Sequence, residues 1–162
     1  MISLIAAVSD NNVIGYHREL PWRLPADMKY FVEKTLGNTI VIGRTTFELI
    51  IAAHAGKLLK NRKNVVLTTK PDYSYPGVLV IHGIDELKSL KGEVMVIGGA
   101  KVYEATITMA DRLYITEVHT VVEGEAHFTP IDPNSWRETS RQSHLADESN
   151  QYDYDFVVYD RA

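Results

Sequence analysis

A mostly parallel α/β fold is predicted by three features of the sequence: short runs with no polar break, helical patterns that alternate with them, and a strand-rich C-terminal end. The runs "IVI" (40–42), "VVL" (65–67) and "VMVI" (94–97) are apolar at every position. Strands of that kind are covered on both faces, as in sheets whose crossovers are helices.

The elements follow in order. "ISLIAAV" (2–8) reads as a strand, broken at "SDNN" and followed by a long loop through Arg23. "PADMKYFVEKTL" is a helix with Pro25 at its first position and Gly37 at its stop. "TIVIG" is a strand and "RTTFELIIAA" a helix; "NVVLTT" and "VLVI" are strands, and "DELKSL" a short helix. "EVMVIGG" is a strand that ends in paired glycines and leads into the helix "KVYEATITM". "RLYITEV" and "YDFVVYD" are late strands, and "WRETSRQSH" is a hairpin arm for the last one. The C-terminal end therefore supplies an antiparallel edge.

Length and composition narrow the function. A chain of 162 residues fits one domain with a sizeable core. No apolar run approaches the roughly 20 residues that span a bilayer, so no membrane role is expected. The start lacks a basic flank and reads as a strand rather than a signal peptide. No cysteine is present, which excludes disulfides, thiolate metal sites and thiol nucleophiles. The six histidines show no ligand spacing, so no metal is expected. The net charge is -4 and no basic stripe exists, so nucleic acid is not an expected partner. Anionic ligands would have to be held by local basic groups.

Ligands of such sheets bind beyond the carboxyl ends of the strands. Gly98 and Gly99 end a strand and open a helix, which suits phosphate but also suits a plain tight turn. Gly43 precedes a helix with Arg44, Thr45 and Thr46 in its first turn. An arginine there opposes the helix dipole unless an anion is bound; otherwise it is an exposed arginine. Thr68, Thr69 and Lys70 offer hydroxyls and a charge, or simply a polar turn before Pro71. "KLLKNRKN" (57–64) is a solvated basic loop or a recruiting site for a carboxylate. Asp27 is a dipole-friendly group in a first turn, or a carboxylate walled from water by Trp22, Leu24 and Phe31. A walled carboxylate facing a protonatable ring suits acid–base work.

Together these stretches resemble the dihydrofolate reductase family over essentially the whole chain. The motifs are "VIGYHRELPWRLPADMKYF", "VIGRTTFE", "RKNVVLTT", "VMVIGGAKVYE", "LYITEV" and "EGEAHF". The resemblance implies a single domain, residues 1–162, with an eight-stranded mostly parallel sheet, an antiparallel C-terminal strand and four flanking helices. It implies NADPH-dependent reduction of 7,8-dihydrofolate to tetrahydrofolate in a cytoplasmic monomer that also binds antifolate-type small molecules. Asp27 would bind the pterin 2-amino group and N3, helped by Thr116 and a water on Trp22. Ile5, Ala7, Met28, Phe31, Ile50 and Leu59 would line the pocket, and Arg62 would bind the glutamate α-carboxylate. Ala7, Ile14 and Gly15 would meet the nicotinamide, next to Gly98 and Gly99, a pair joined by a cis peptide in this family. Arg44, Thr45, Thr46, Thr68 and Lys101 would bind phosphates, with Gly43, Thr69, Ile97, Ala100, Val102 and Tyr103 completing the cofactor site. Residues 9–24 match a mobile lid. Leu20, where many bacterial members carry methionine, joins Asp27, Trp22 and Thr116 in the catalytic set.

The chain departs from the family in three further places. The segment between Glu48 and Arg62 is longer than usual and lacks a Gly-Arg-Pro-Leu-Pro pattern, which leaves Lys60 and Lys63 as rival anchors. Ala100 replaces a frequent third glycine, and Glu125 replaces an aspartate that helps hold the lid. Two other readings compete: a related pyrimidine reductase of riboflavin synthesis, and a non-catalytic pterin- or nucleotide-binding module.

Overall fold

The computed structural model describes residues 1–15 and 22–162. Its main sheet has eight strands in the order β5-β4-β3-β6-β1-β7-β10-β9. These are β1 (Ile2–Ser9), β3 (Thr39–Gly43), β4 (Lys63–Leu67), β5 (Leu79–Ile81), β6 (Val94–Gly98), β7 (Arg112–Val118), β9 (Trp136–His144) and β10 (Tyr154–Arg161). The five pairings from β5 to β7 are parallel, and β10 runs antiparallel to both β7 and β9. Three α-helices, α1 (Pro25–Thr35), α2 (Arg44–Ala53) and α3 (Ala100–Thr106), and a 3-10 helix (Ile84–Ser89) flank it.

The uninterrupted apolar runs do what their composition demands. Ile40 and Ile42 of β3 face the side that carries Ile5, Met95, Phe47 and Val66. Val41, between them, joins Leu4, Val65, Val96 and Tyr103 on the other side. Both faces are thus dry. β9 is the opposite case: after buried Trp136 every residue is exposed, as befits a polar edge strand.

Three differences from the sequence reading are local. A two-stranded antiparallel sheet pairs β2 (Val13–Gly15) with β8 (Ala126–His127), segments too short to carry a periodic signal. The helix expected to reach Met109 ends at Thr106, whose hydroxyl donates back to the Val102 carbonyl at 2.6 Å. The short helix before β6 is 3-10, and Glu86 Oε2 accepts from the backbone N–H of His82 and Gly83 at its start.

The register sets up the site. Ala7 lies opposite Thr116, and Ile42 opposite Gly98. β3 runs straight into α2, and β6 reaches α3 through Gly99, so two helix starts stand side by side at the carboxyl edge.

Candidate active site

α1 begins without help from its own neighbours. Leu24, at its cap, makes no side-chain capping bond. Asn150 does this work from afar, its Oδ1 accepting from the Ala26 N–H at 3.0 Å. Asp27, one residue on, points into the protein, and Thr116 of β7 donates its hydroxyl to Asp27 Oδ1 at 2.6 Å. Burial pushes the Asp27 carboxyl above its ordinary pKa, and the Thr116 bond only partly offsets that. Trp22 is 8% exposed, packed with Leu24, Val118 and Tyr154. Its Nε1 is buried without a partner among the described residues.

Asp27 borders a cavity of about 450 Å³ between α1 and α2. Ile5, Met28, Phe31, Ile50 and Leu59 line it, as do Ile14, Thr45, Thr46, Ile97, Gly98, Gly99, Ala100 and Tyr103. Met28 is 56% exposed despite its apolar side chain, because it faces this open volume. Tyr103 is buried, its hydroxyl donating to the Ile5 carbonyl at 2.6 Å.

At the other end the glycines before α2 and α3 pack tightly against the opposite helix. A Cβ on Gly99 would lie 2.8 Å from Thr46 Oγ1, and one on Gly43 2.8 Å from Val102 Cγ2. Gly98 has φ 131° and is joined to Gly99 by a cis peptide. Neither Gly43 nor Gly99 gives its helix a side-chain cap, so the first N–H groups of α2 and α3 have no side-chain partner there.

The remaining expected residues are placed less uniformly. Ala7 and Thr116 sit side by side on β1 and β7, outside the cavity lining. Arg44 pairs with Glu48 one turn on at 3.1 Å. Thr68 is buried, its hydroxyl accepting from the Lys70 N–H, whereas Thr69 and Lys101 are exposed. Arg62 is half-buried: Nε donates to Thr35 Oγ1 at 2.9 Å, and its guanidinium lies 5.9 Å from the Phe31 ring centroid. Lys60 and Lys63 are exposed, and Arg62 meets the cavity wall through its contact with Phe31. Burial lowers its pKa, but an arginine stays charged. Gly15 pairs with Ala126 in the small sheet. Leu20, with the rest of 16–21 in the expected lid, lies outside the described residues.

Four lining residues escaped the sequence reading: Ala6, Leu49, His54 and Ala126. Leu49 follows the helical spacing of Thr45 and Thr46 and was within reach. His54 lies in the segment that departs from the family pattern, and nothing marked it.

A slot with one carboxylate at its wall, opening beside two uncapped helix starts, belongs with the α/β oxidoreductases that use a dinucleotide. The family model for dihydrofolate reductase matches residues 1–161. A dihydrofolate reductase of Bacillus subtilis (strain 168) is 42% identical, covering 99% of this chain and 95% of its own. Dihydrofolate reductase type 3 of Salmonella typhimurium is 40% identical, covering 99% and 98%. The structure of a dihydrofolate reductase from Enterococcus faecalis, complexed with NADP(H) and RAB-propyl, superposes with a TM-score of 0.90 at 38% identity, covering 99% and 96%. The chain belongs to the dihydrofolate reductase family. The pyrimidine-reductase and binding-module readings give way to that membership.

Proposed function

We propose that this chain, as one domain, reduces 7,8-dihydrofolate to 5,6,7,8-tetrahydrofolate with NADPH, with Asp27 as the group that holds and polarises the pterin. The observation that carries this is the Asp27–Thr116 pair: a carboxylate on an apolar cavity wall, fixed by one 2.6 Å bond, with burial raising its pKa. Such a group gains most from a ligand that brings two adjacent N–H donors. The pterin 2-amino group and N3 are such donors. Thr116 positions the carboxylate, and Trp22 Nε1 offers a donor for a bridging water.

Ile5, Met28, Phe31, Ile50 and Leu59 supply the apolar walls for the pteridine and aminobenzoyl rings, and Arg62 takes the glutamate carboxylate with its planar fork. The residues at the other end fit a dinucleotide diphosphate. Side chains at Gly43 and Gly99 would fill the close approach of the two helix starts, and N–H groups at such starts suit phosphate oxygens. Arg44, Thr45, Thr46, Thr68, Thr69 and Lys101 add side-chain donors around it. Ala7, Ile14, Gly15, Ile97, Gly98, Ala100, Val102 and Tyr103 frame the nicotinamide end.

NADPH supplies the hydride that reduces pterin C6. The chain's own residues orient and polarise. Ionised Asp27 raises the basicity of N5 through the low-dielectric cavity, and the N5 proton arrives through water. Antifolate-type molecules with a diaminopyrimidine edge offer Asp27 the same donors. The enzyme acts as a cytoplasmic monomer.

The test is direct. NADPH absorbance falls when the chain meets dihydrofolate, and Asp27→Asn slows that fall. No fall with wild-type chain overturns the assignment.

A further inference from the structure

The segment that departs from the family pattern is well built. α2 ends at Ala53, and the His54 backbone N–H donates to the carbonyls of Ile50 and Ile51 at 3.0 and 3.2 Å. Ala55 (φ 53°) and Gly56 (φ 80°) then turn left-handed, and Gly56 N–H closes the turn on the Ile51 carbonyl at 2.8 Å. Tyr75 Oη anchors the turn from outside, donating to the Gly56 carbonyl at 2.8 Å.

This turn sets His54 on the cavity wall, on the α2 side. Phe31, with Arg62 packed against it, stands on the α1 side. His54 Nδ1 lies 2.8 Å from the Ile50 carbonyl. A carbonyl can only accept, so Nδ1 carries a proton, and in the neutral ring Nε2 is then the acceptor. Nε2 has no partner among the described residues. The two groups differ in kind: Arg62, packed on Phe31, can only donate, and His54 Nε2 in the neutral ring accepts.

We propose that His54 is a substrate-binding residue whose Nε2 accepts a hydrogen bond from the amide N–H linking the aminobenzoyl ring to glutamate, while Arg62 takes the carboxylate. The tail's amide and carboxylate match that acceptor–donor pair. This rests on the cavity being the dihydrofolate site. His54 selects for the conjugated tail and has no part in the chemistry at the pterin.

Steady-state kinetics with two substrates tests it: dihydrofolate, and dihydropteroate, which lacks both amide and glutamate. His54→Leu keeps apolar bulk and His54→Ala removes it. Both raise KM for dihydrofolate about three- to tenfold, the scale of one hydrogen bond, and leave that for dihydropteroate within about twofold. An unchanged KM for dihydrofolate, an equal rise for dihydropteroate, or a rise in the alanine variant alone overturns the inference. Those results are read against an active wild-type enzyme. A wild-type chain that reduces neither substrate instead sinks the proposed activity, and the role of His54 with it.

Discussion

Two carboxylates, Asp27 on α1 and Asp155 on β10, meet burial in opposite ways. Asp27 abuts Thr116, whose neighbour in β7, Glu117, sits across the ladder from Asp155 of β10. Asp27 has a hydroxyl as its side-chain partner, and its pKa is raised. For Asp155 burial pushes the same way, but bonds from Arg141, Ser143 and His119 outweigh it and lower the pKa. Arg141 also donates to Glu117 at 2.8 Å and to Glu138 at 2.6 Å, so one guanidinium binds three carboxylates. Glu117, His119 and Asp155 place ligand-type atoms within 4.8 Å of one another, as a metal site would. Arg141 already bonds two of its members, Glu117 and Asp155, so the cluster reads as an ion-pair network. The lesson is that charge left uncompensated by the protein faces the cavity, and charge on the outer sheet face is paired.

The comparison is tested hardest at Asp27. Asp27→Asn lowers turnover of dihydrofolate by roughly 10² or more near neutral pH, with partial recovery in acid where the substrate arrives protonated. The same change raises stability. The folded-state pKa lies above the unfolded value, so between them the folded chain binds more protons and wild-type stability falls as pH rises. The thermal midpoint of the variant therefore exceeds that of wild type at neutral pH, and the gap closes below the ordinary carboxylate range. Equal midpoints across that range would show that burial of this carboxylate costs nothing.

Arg62, packed on Phe31 of the cavity wall, is held by Thr35 and the Lys60 carbonyl and by no carboxylate among the described residues. Arg62→Ala raises KM for dihydrofolate by about 10- to 100-fold, the scale of a charge-assisted contact, and leaves KM for NADPH unchanged. If both constants stay put, Lys60 or Lys63 holds the tail.

Arg141→Ala sharpens the other side. It strips Asp155, which is 8% exposed, of its main partner and costs about 1–3 kcal/mol in urea unfolding at neutral pH, with kcat unchanged. Asp155 has a depressed folded pKa, so its stabilisation is present above the ordinary carboxylate value and lost as pH falls through the lowered one. The difference between wild type and variant accordingly shrinks in acid, opposite in sign to the Asp27→Asn effect.

Much of this was legible because the signals are local. The fully apolar runs fixed buried parallel strands, and α2 and β7 match their sequence-derived bounds. Asp27 was legible because a carboxylate amid Trp22, Leu24 and Phe31 breaks the amphipathic pattern. The β2–β8 pair was not, since pairing of two and three residues depends on what brings them together. His54 was not, since a lone histidine says nothing until a left-handed turn sets it on a wall. Nor was Arg141, whose three partners come from three strands.

Asn150 gives the smallest and most indirect effect. It is 6% exposed, accepting from Ala26 N–H and donating through Nδ2 to Asp147 Oδ1 at 3.0 Å. Gln151 adds a reciprocal pair with the Arg23 backbone, at 3.1 Å in each direction. The start of α1, and with it Asp27, thus hangs on a loop near the C-terminus. A capping group supplied from so far along the chain should behave as a local one does, because the orphan N–H at the helix start is the same. Asn150→Ala therefore lowers stability by about 1 kcal/mol, read as a lower urea midpoint, with turnover reduced by less than about threefold. The modest kinetic cost follows from the second tether at Gln151 and from the Thr116 bond, which still hold Asp27. An unchanged urea midpoint would mean that α1 starts unaided, and that the position of Asp27 owes nothing to the C-terminal loop.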